Sequence, residues 1–402
     1  MSFTESAHDM RDVLVRLRHS LHATPEIGLM LPRTQQKVLE ALDGLPLEIT
    51  TGTALSSVTA VLRGGGRAAG DEPVPVVLLR GDMDALPVIE RNNLPYISRV
   101  AGRMHACGHD LHTTMLVGAA HLLSARREEL AGDVIFMFQP GEEGDEGARH
   151  MIGEGVLDAA GARPIAAYGM HVVSSMLPPG LFSSRGGPVM AAADVFQVTV
   201  KGRGGHGSSP HRALDPVLAG CEMVSALQSM VTRTFDPFDP VVVTVGQFHA
   251  GTADNVIPDE AYFEATVRTF SKDHRALVKR RLVEVVEGIA AAHGLGVDAS
   301  FGMGYPVTVN NPGESDFAGR TTDELFGPGR YFVAPQPVMG SEDFSYVLEE
   351  VPGAFVFLGA CPPDLDPATA AYNHSPEARF DDSVLPDGAA LYASLALSRL
   401  AS

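Results

Sequence analysis

The sequence predicts a doubly wound, mainly parallel α/β domain with a smaller ferredoxin-like α+β domain inserted into it. Four short, nearly all-apolar runs carry the first half of that prediction: 74–79 (VPVVLL), 134–138 (VIFMF), 165–168 (IAAY) and 354–358 (AFVFL). Runs without alternation suit strands covered on both faces, as in a parallel sheet layered by helices. The middle of the chain carries the second half, because its elements read in the order β-α-β-β-α-β, the split βαβ arrangement. The length of 402 residues is too great for one small core and suits two domains.

Taken in order, the outer segments alternate strands with helices. The clearest helix spans 111–130, where Met115, Leu116, Ala119, Leu122 and Leu123 recur at helical spacing. Asp110 is placed to cap its start and Gly132 follows its end. The insertion begins with a strand at 195–200. A helix from Pro216 to about Val231 follows, opened by Asp215-Pro216. Strands at 241–245 and 261–270 come next. The second alternates strictly, with Phe263, Ala265 and Val267 on one face and Tyr262, Glu264, Thr266 and Arg268 on the other. A helix at 273–293, closed by Gly294, and a strand at 296–301 complete the unit. The expected division is 1–185 with 303–402 for the catalytic domain and 186–302 for the insertion. The Gly/Pro-rich stretch 63–75 reads as a surface loop.

Composition narrows the function. Apolar residues at 45% and charged residues at 20% are ordinary for a soluble globular protein. No apolar run approaches the roughly 18 residues a membrane span needs. The N-terminus carries charge throughout and lacks the apolar core of a secretory leader, so a cytoplasmic location is expected. The net charge of −19, with no clustered Lys/Arg, excludes a nucleic-acid-binding face. Three cysteines, Cys107, Cys221 and Cys361, are too few and odd in number for a disulfide framework.

Ligands of open α/β sheets bind beyond the carboxyl ends of the strands. Those positions are rich in ionisable groups: Arg80-Gly81-Asp82-Met83-Asp84, then Gln139-Pro140-Gly141-Glu142-Glu143, then Gly169-Met170-His171, then Asn373-His374. His105-Ala106-Cys107-Gly108-His109-Asp110 adds a further set at a helix start. Any one is weak, since a lone His is more often structural and a Glu pair more often solvated. Gathered at one sheet edge, like charges resist joint ionisation unless a cation neutralises them. The expected ligand set is Cys107, His109, Glu143, His171 and His374. Mixed S/N/O donors point to zinc, with manganese, cobalt or nickel as alternatives, rather than magnesium or calcium. Five protein ligands exceed one tetrahedral ion and fit two divalent ions sharing a bridge. Glu142, beside Glu143, is then placed as the general base.

These segments resemble peptidase family M20, and within it the N-acyl-amino-acid amidohydrolases that include hippurate and auxin-conjugate hydrolases. The resemblance starts at LHATPE (21–26) and runs through RGDMDALP (80–87), HACGHDLHT (105–113), FQPGEEGDEGA (138–148), GMH (169–171) and GRGGHGSSPH (202–211). It continues through NVIPDEA (255–261), VRTF (267–270), GSEDFSY (340–346) and NHSP (373–376). It implies that Cys107 replaces a bridging carboxylate, that His109, Glu143, His171 and His374 are the other ligands, and that Glu142 is the base. It implies further that Asp84 orients a metal-side group and that His206 of the lid stabilises the oxyanion. Asn255, Arg268 and Gly340 correspond to positions holding the substrate carboxylate. A homodimer through the lid and a small N-acyl amino acid or dipeptide substrate also follow from the resemblance. The sequence departs from the family after His171, where VVSSMLPPG replaces a shorter Trp- and Pro-containing run, and after Pro25-Glu26, where acidic residues are fewer.

Other residues admit blander readings. Arg268 on the polar strand face can hold a carboxylate, or be a solvated arginine. Gly202–His206 lacks a nucleotide-binding fingerprint, and Ser208 and Ser209 lack a nucleophile elbow. Cys221 reads as core, Cys361 as core or near the site; His105 and His112 flank ligands and read as groups supporting them or as helix-start polar residues, with no role assigned. Two alternatives stand beside the amidohydrolase: a dipeptidase or carboxypeptidase with the same machinery, and a non-catalytic metal-holding or redox-sensing protein.

Overall fold

Strand propensity and burial coincide in the outer segments, where the apolar runs become the centre of an eight-stranded mixed sheet. The computed structural model describes residues 1–66, 74–302 and 304–402; most of the expected 63–75 loop lies outside them. The chain divides into two compact units. The first comprises Met1–Val189, Val309–Gln336 and Asp343–Ser402, and the second Met190–Thr308 with Pro337–Glu342.

In the first unit, β1 (Leu47–Thr51), β2 (Val58–Leu62), β3 (Val76–Asp82), β4 (Asp133–Gln139) and β5 (Ala166–Val173) form one side of the sheet. The strand order is β1-β2-β4-β3-β5, continued by Gly353–Gly359, Phe182–Ser184 and Tyr331–Val333. β3 runs parallel to β4 and to β5, and β5 parallel to Gly353–Gly359, while β1, β2 and β4 pair antiparallel at one flank. From β3 the chain goes to β4 on one side and then to β5 on the other. The boundary between β3 and β5 is therefore the topological switch point. β3 and β4 are buried at every position, which explains their lack of alternation.

Helices α1 (Phe3–Asp9), α2 (Arg11–His22), α3 (Pro32–Leu42) and α4 (His109–Ala125) join the core of this unit, which includes Leu14, Val38, Leu111, Met115 and Tyr392. α4 differs from the expected 111–130 helix at both ends. It begins at His109, its N-cap is Gly108, and a separate 3₁₀ turn covers Arg127–Glu129. Asp110 is therefore no cap. It lies inside the first turn, fully buried, and accepts from Arg18 Nε at 2.9 Å beside His22 Nδ1 at 2.8 Å. Glu26, from the LHATPE segment, caps α3 instead of a local residue: its carboxylate accepts from the Thr34 N–H at 2.8 Å and the Thr34 hydroxyl at 3.0 Å.

The second unit has strands Ala192–Lys201, Val242–Ala250, Glu260–Thr269 and Gly296–Phe301 with helices Pro216–Thr234 and Lys272–Ala292. All strand pairs are antiparallel, and both termini of the unit's sheet order fall on Val242–Ala250 and Gly296–Phe301. This is the ferredoxin-like order expected. Phe263, Ala265 and Val267 are buried against the helices with Met223, Leu227, Leu282 and Val286, while Glu264 and Arg268 occupy the opposite face. Cys221 is a correction. The helix Pro216–Thr234 buries Ala219, Gly220, Met223 and Leu227, and Cys221 lies off that stripe, exposed. Cys361 is buried in the first unit.

Candidate active site

Five segments deliver the ionisable groups to the switch point. β3 extends three residues past the apolar run and so carries Arg80 and Asp82 within the strand; β5 likewise runs on through His171. Gly108 makes the turn that sets Cys107 and His109 side by side. Its φ of 91° belongs to glycine, and a Cβ there would lie 2.3 Å from Val172 Cγ2. His374 is held at φ 73°, a strained value for a residue with a side chain. Its N–H donates to Ala106 O at 2.9 Å, and the Asn373 amide beside it donates to Cys107 O and Val172 O, each at 3.0 Å.

The side chains then meet. Cys107 Sγ lies 3.3 Å from His171 Nε2 and 3.2 Å from His374 Nε2. His374 Nε2 is 3.2 Å from Glu143 Oε1, and His109 Nε2 is 3.8 Å from the same oxygen. Two ligand-type triads share the thiol: Cys107, His109 and His171, and Cys107, Glu143 and His374, each with donor atoms within 4.8 Å of one another. A third group joins His109, Glu142 and Glu143.

Asp84 organises the carboxylate turn. One oxygen accepts from the Glu142 N–H and the other from the Glu143 N–H, each at 3.0 Å, and Oδ1 lies 3.3 Å from His109 Nδ1. A carboxylate behind a histidine is the usual arrangement for orienting a metal ligand. The His171 ring gives its Nδ1 proton to Val172 O at 2.8 Å, which leaves Nε2 bare toward Cys107.

The residues fit a cation pair. His109 Nε2 is buried with no hydrogen-bond partner of good geometry, and the buried Glu143 Oε1 faces the His374 and His109 ring nitrogens at 3.2 and 3.8 Å. Buried polar atoms are ordinarily satisfied, so this nitrogen and this oxygen have the character of waiting ligands. Electrostatics agrees. Hydrogen bonds to Cys107 and Glu143 push His374 up to about 10. Burial, with Glu143 nearby, pushes the Cys107 thiol up. Burial also holds His171 well below its ordinary value, whereas for His109 the charges of Asp82 and Cys107 overcome burial and raise it. A proton on His374 thus stands between a thiol and a carboxylate where a cation would relieve the same repulsion.

The remaining predicted residues belong to the second unit. His206 is exposed on a short strand paired with Val256. Its Nδ1 receives the Ser208 N–H at 3.1 Å and lies 2.9 Å from the Ser208 hydroxyl. A backbone N–H only donates, so the neutral His206 ring keeps its proton on Nε2. Asn255 adjoins it, its carbonyl accepting from Gly207 N–H at 2.8 Å. Arg268 stands in register with Ala193 and Val242, and its Nη1 is buried without a hydrogen-bond partner. Burial lowers its pKa, with Asp194 opposing. Gly340 O accepts from the Ala191 N–H at 2.9 Å. Sequence reasoning placed Asp82 among the strand-end groups and His112 beside the ligands but gave neither a role. The signals were present, since Asp82 and Asp84 are two apart and His109 and His112 are at i and i+3 on one helix face.

Comparison with known proteins agrees with this geometry. Residues 78–398 match peptidase family M20/M25/M40. Thermostable carboxypeptidase 2 of Saccharolobus solfataricus is 36% identical over 393 residues, 97% of this chain and 96% of the relative. N-acetylcysteine deacetylase of Bacillus subtilis is 37% identical over 384 residues, 96% of each. The crystal structure of the Bacillus subtilis YxeP protein, described as a dinuclear metal-binding peptidase of the M20 family, matches with a TM-score of 0.83 at 33% identity, covering 98% of this chain and 99% of that one. A family match over most of the chain, with relatives aligned end to end, means that this chain belongs to peptidase family M20/M25/M40 and is a metal-dependent amidohydrolase of that family.

Proposed function

We propose that the protein hydrolyses the amide bond of N-acyl amino acids, releasing a carboxylate and a free amino acid. The observation that carries this is the thiol of Cys107 shared between two ligand triads, with Glu142 beside both His109 and Glu143. Cys107, His109 and His171 would hold one first-row divalent ion, zinc first among them, and Cys107, Glu143 and His374 the other. Such a pair lowers the pKa of water and polarises a carbonyl.

The chain's own residues do the rest. Glu142, only 6% exposed, takes a proton from the attacking water and returns it to the leaving nitrogen. Asp84 keeps Glu142 and Glu143 in place through their backbone N–H groups. His206 offers its Nε2 proton to the carbonyl oxygen as negative charge develops there. Arg268, with an unengaged Nη1, suits the amino acid's carboxylate, together with Asn255 and Gly340. The second unit is read as the lid and dimer-forming part, and the protein as a cytoplasmic homodimer. The N-acetylcysteine deacetylase relative supports the acyl-amino-acid reading; the carboxypeptidase relative supports a second, in which the same machinery cuts a C-terminal peptide bond.

The test is a substrate panel of acetyl, benzoyl, longer-acyl and indole-acetyl amino acids beside dipeptides, run with zinc, manganese or cobalt, and repeated with Glu142→Gln. Turnover of acyl amino acids is expected, with the variant keeping its metal but losing at least about 100-fold in kcat. Cleavage of dipeptides alone would favour the peptidase reading. A metal-loaded protein inert on the whole panel would return it to a binding role.

A further inference from the structure

The sheet of the first unit splits along its middle. β3 keeps register with β4 to the end, Asp82 opposite Gln139, and β5 keeps register with Gly353–Gly359 to the end, Val173 opposite Gly359. β3 and β5 pair only from Val77–Ala166 to Arg80–Gly169. Beyond that point the imidazole of His112 stands between them, with Nδ1 2.6 Å from Asp82 Oδ1 and Nε2 2.8 Å from Val172 N. The ring is fully buried on α4. α4 lies so close to β3 that a Cβ on Gly81 would meet His112 O at 2.9 Å.

The contacts dictate the tautomer. The Val172 N–H can only donate, so His112 Nε2 accepts and is bare. The neutral ring therefore carries its proton on Nδ1 and gives it to Asp82. Asp82 is itself pinned, taking Arg80 Nη1–H at 2.6 Å, while its backbone carbonyl takes the Thr113 hydroxyl at 2.7 Å. Arg80 reaches on to Gln139 at 2.8 Å and Asp343 at 3.0 Å.

We propose that His112 is a positioning residue: a single-tautomer imidazole that wedges β3 and β5 apart where the cation ligands converge, without being a ligand. The inference rests on the site reading above. Asp82, His109 and His112 bring donor atoms within 4.8 Å of one another, which by residue type resembles one more cation site. Both His112 nitrogens are already engaged, so the trio is a brace. Val172 transmits its effect. The N–H of Val172 is held by His112, and its carbonyl receives the His171 ring at 2.8 Å and the Asn373 amide at 3.0 Å. The aim of His171 toward Cys107 thus depends on where His112 holds the strand.

The decisive measurement is nitrogen NMR of histidine-labelled wild-type protein, metal-free and zinc-loaded. His112 is expected to be protonated at Nδ1 and bare at Nε2 in both states, assigned by loss of its signals in His112→Gln. A His112 protonated at Nε2, or one whose nitrogen moves to a zinc-bound shift on loading, overturns the proposal. Two variants test the consequence. His112→Gln can reproduce the donor and acceptor; His112→Phe keeps a flat ring and loses both. Zinc affinity, measured by chelator competition, should fall about 10–100-fold in His112→Phe and stay within about threefold in His112→Gln. At saturating zinc, His112→Phe should lower kcat and leave KM nearly unchanged, because the ring touches no substrate. Wild-type zinc affinity and kcat in His112→Phe would overturn the wedge. If that variant does not fold, the wild-type spectra decide alone. If the wild type holds no zinc, the site reading fails while the metal-free spectrum still judges the tautomer.

Discussion

A buried carboxylate next to a proposed cation ligand need not face the same site, and Asp110 illustrates the point at the scale of one residue. It follows His109 directly, yet it points away to Arg18 and His22. Burial disfavours its charge, but Arg18 and His22 outweigh that and hold the carboxyl below the usual carboxylate range. A depressed folded pKa means stability fully present above the unfolded value of about 3.9 and lost as pH falls from there toward the folded value. Asp110→Asn takes the carboxylate from Arg18 Nε and His22 Nδ1, leaving Arg18 only Asp382 at 2.6 Å as a counter-charge, and should cost about 3 kcal/mol at pH 7. Urea melts at pH 7 and pH 3 would show the deficit, and show it shrinking in acid. Equal stability of variant and wild type at pH 7 would refute this role.

The elements explain why so many groups reach one place. β3 and β5 deliver Asp82 and His171 from within the strands, and the Gly108 turn swings Cys107 against them before α4 begins. That turn tolerates no side chain. Gly108→Ala combines a left-handed backbone, costing about 1–3 kcal/mol, with a contact at 2.3 Å to Val172. The variant should melt several degrees lower and bind zinc more weakly than Gly44→Ala, whose site has the same sign of φ and open space around it. Matching losses in the two variants would show that backbone strain, and not the Val172 contact, governs the site.

At the scale of the whole molecule, the described residues form two cores, one around α4 and Tyr392 and one around Phe263 and Leu282. The proposed cation ligands all lie in the first unit. An ion that binds only the folded state adds about 4 kcal/mol when present at 1,000 times its dissociation constant. Chelation is therefore expected to lower the calorimetric transition of the first unit and leave that of the second in place. A uniform shift of a single transition would mean that the units unfold together. Among the described residues no helix is long and apolar enough to cross a membrane.

The chemistry-bearing residues were legible in the sequence because their types are rare at apolar strand ends and their order is that of a known family. The β-α-β-β-α-β order was legible too, since periodicities of 2 and 3.6 are local properties. Helix ends were less so: Asp110 has the composition of a cap, and only its long-range pairing with Arg18 shows otherwise. Cys221 looked apolar in sequence, but which side of its helix meets the sheet is decided by packing. The tertiary structure alone decided the parting of β3 from β5 and the engagement of both His112 nitrogens. Those depend on hydrogen bonds between residues 30 and 60 positions apart, and no local pattern encodes the direction in which a side chain finds such a partner.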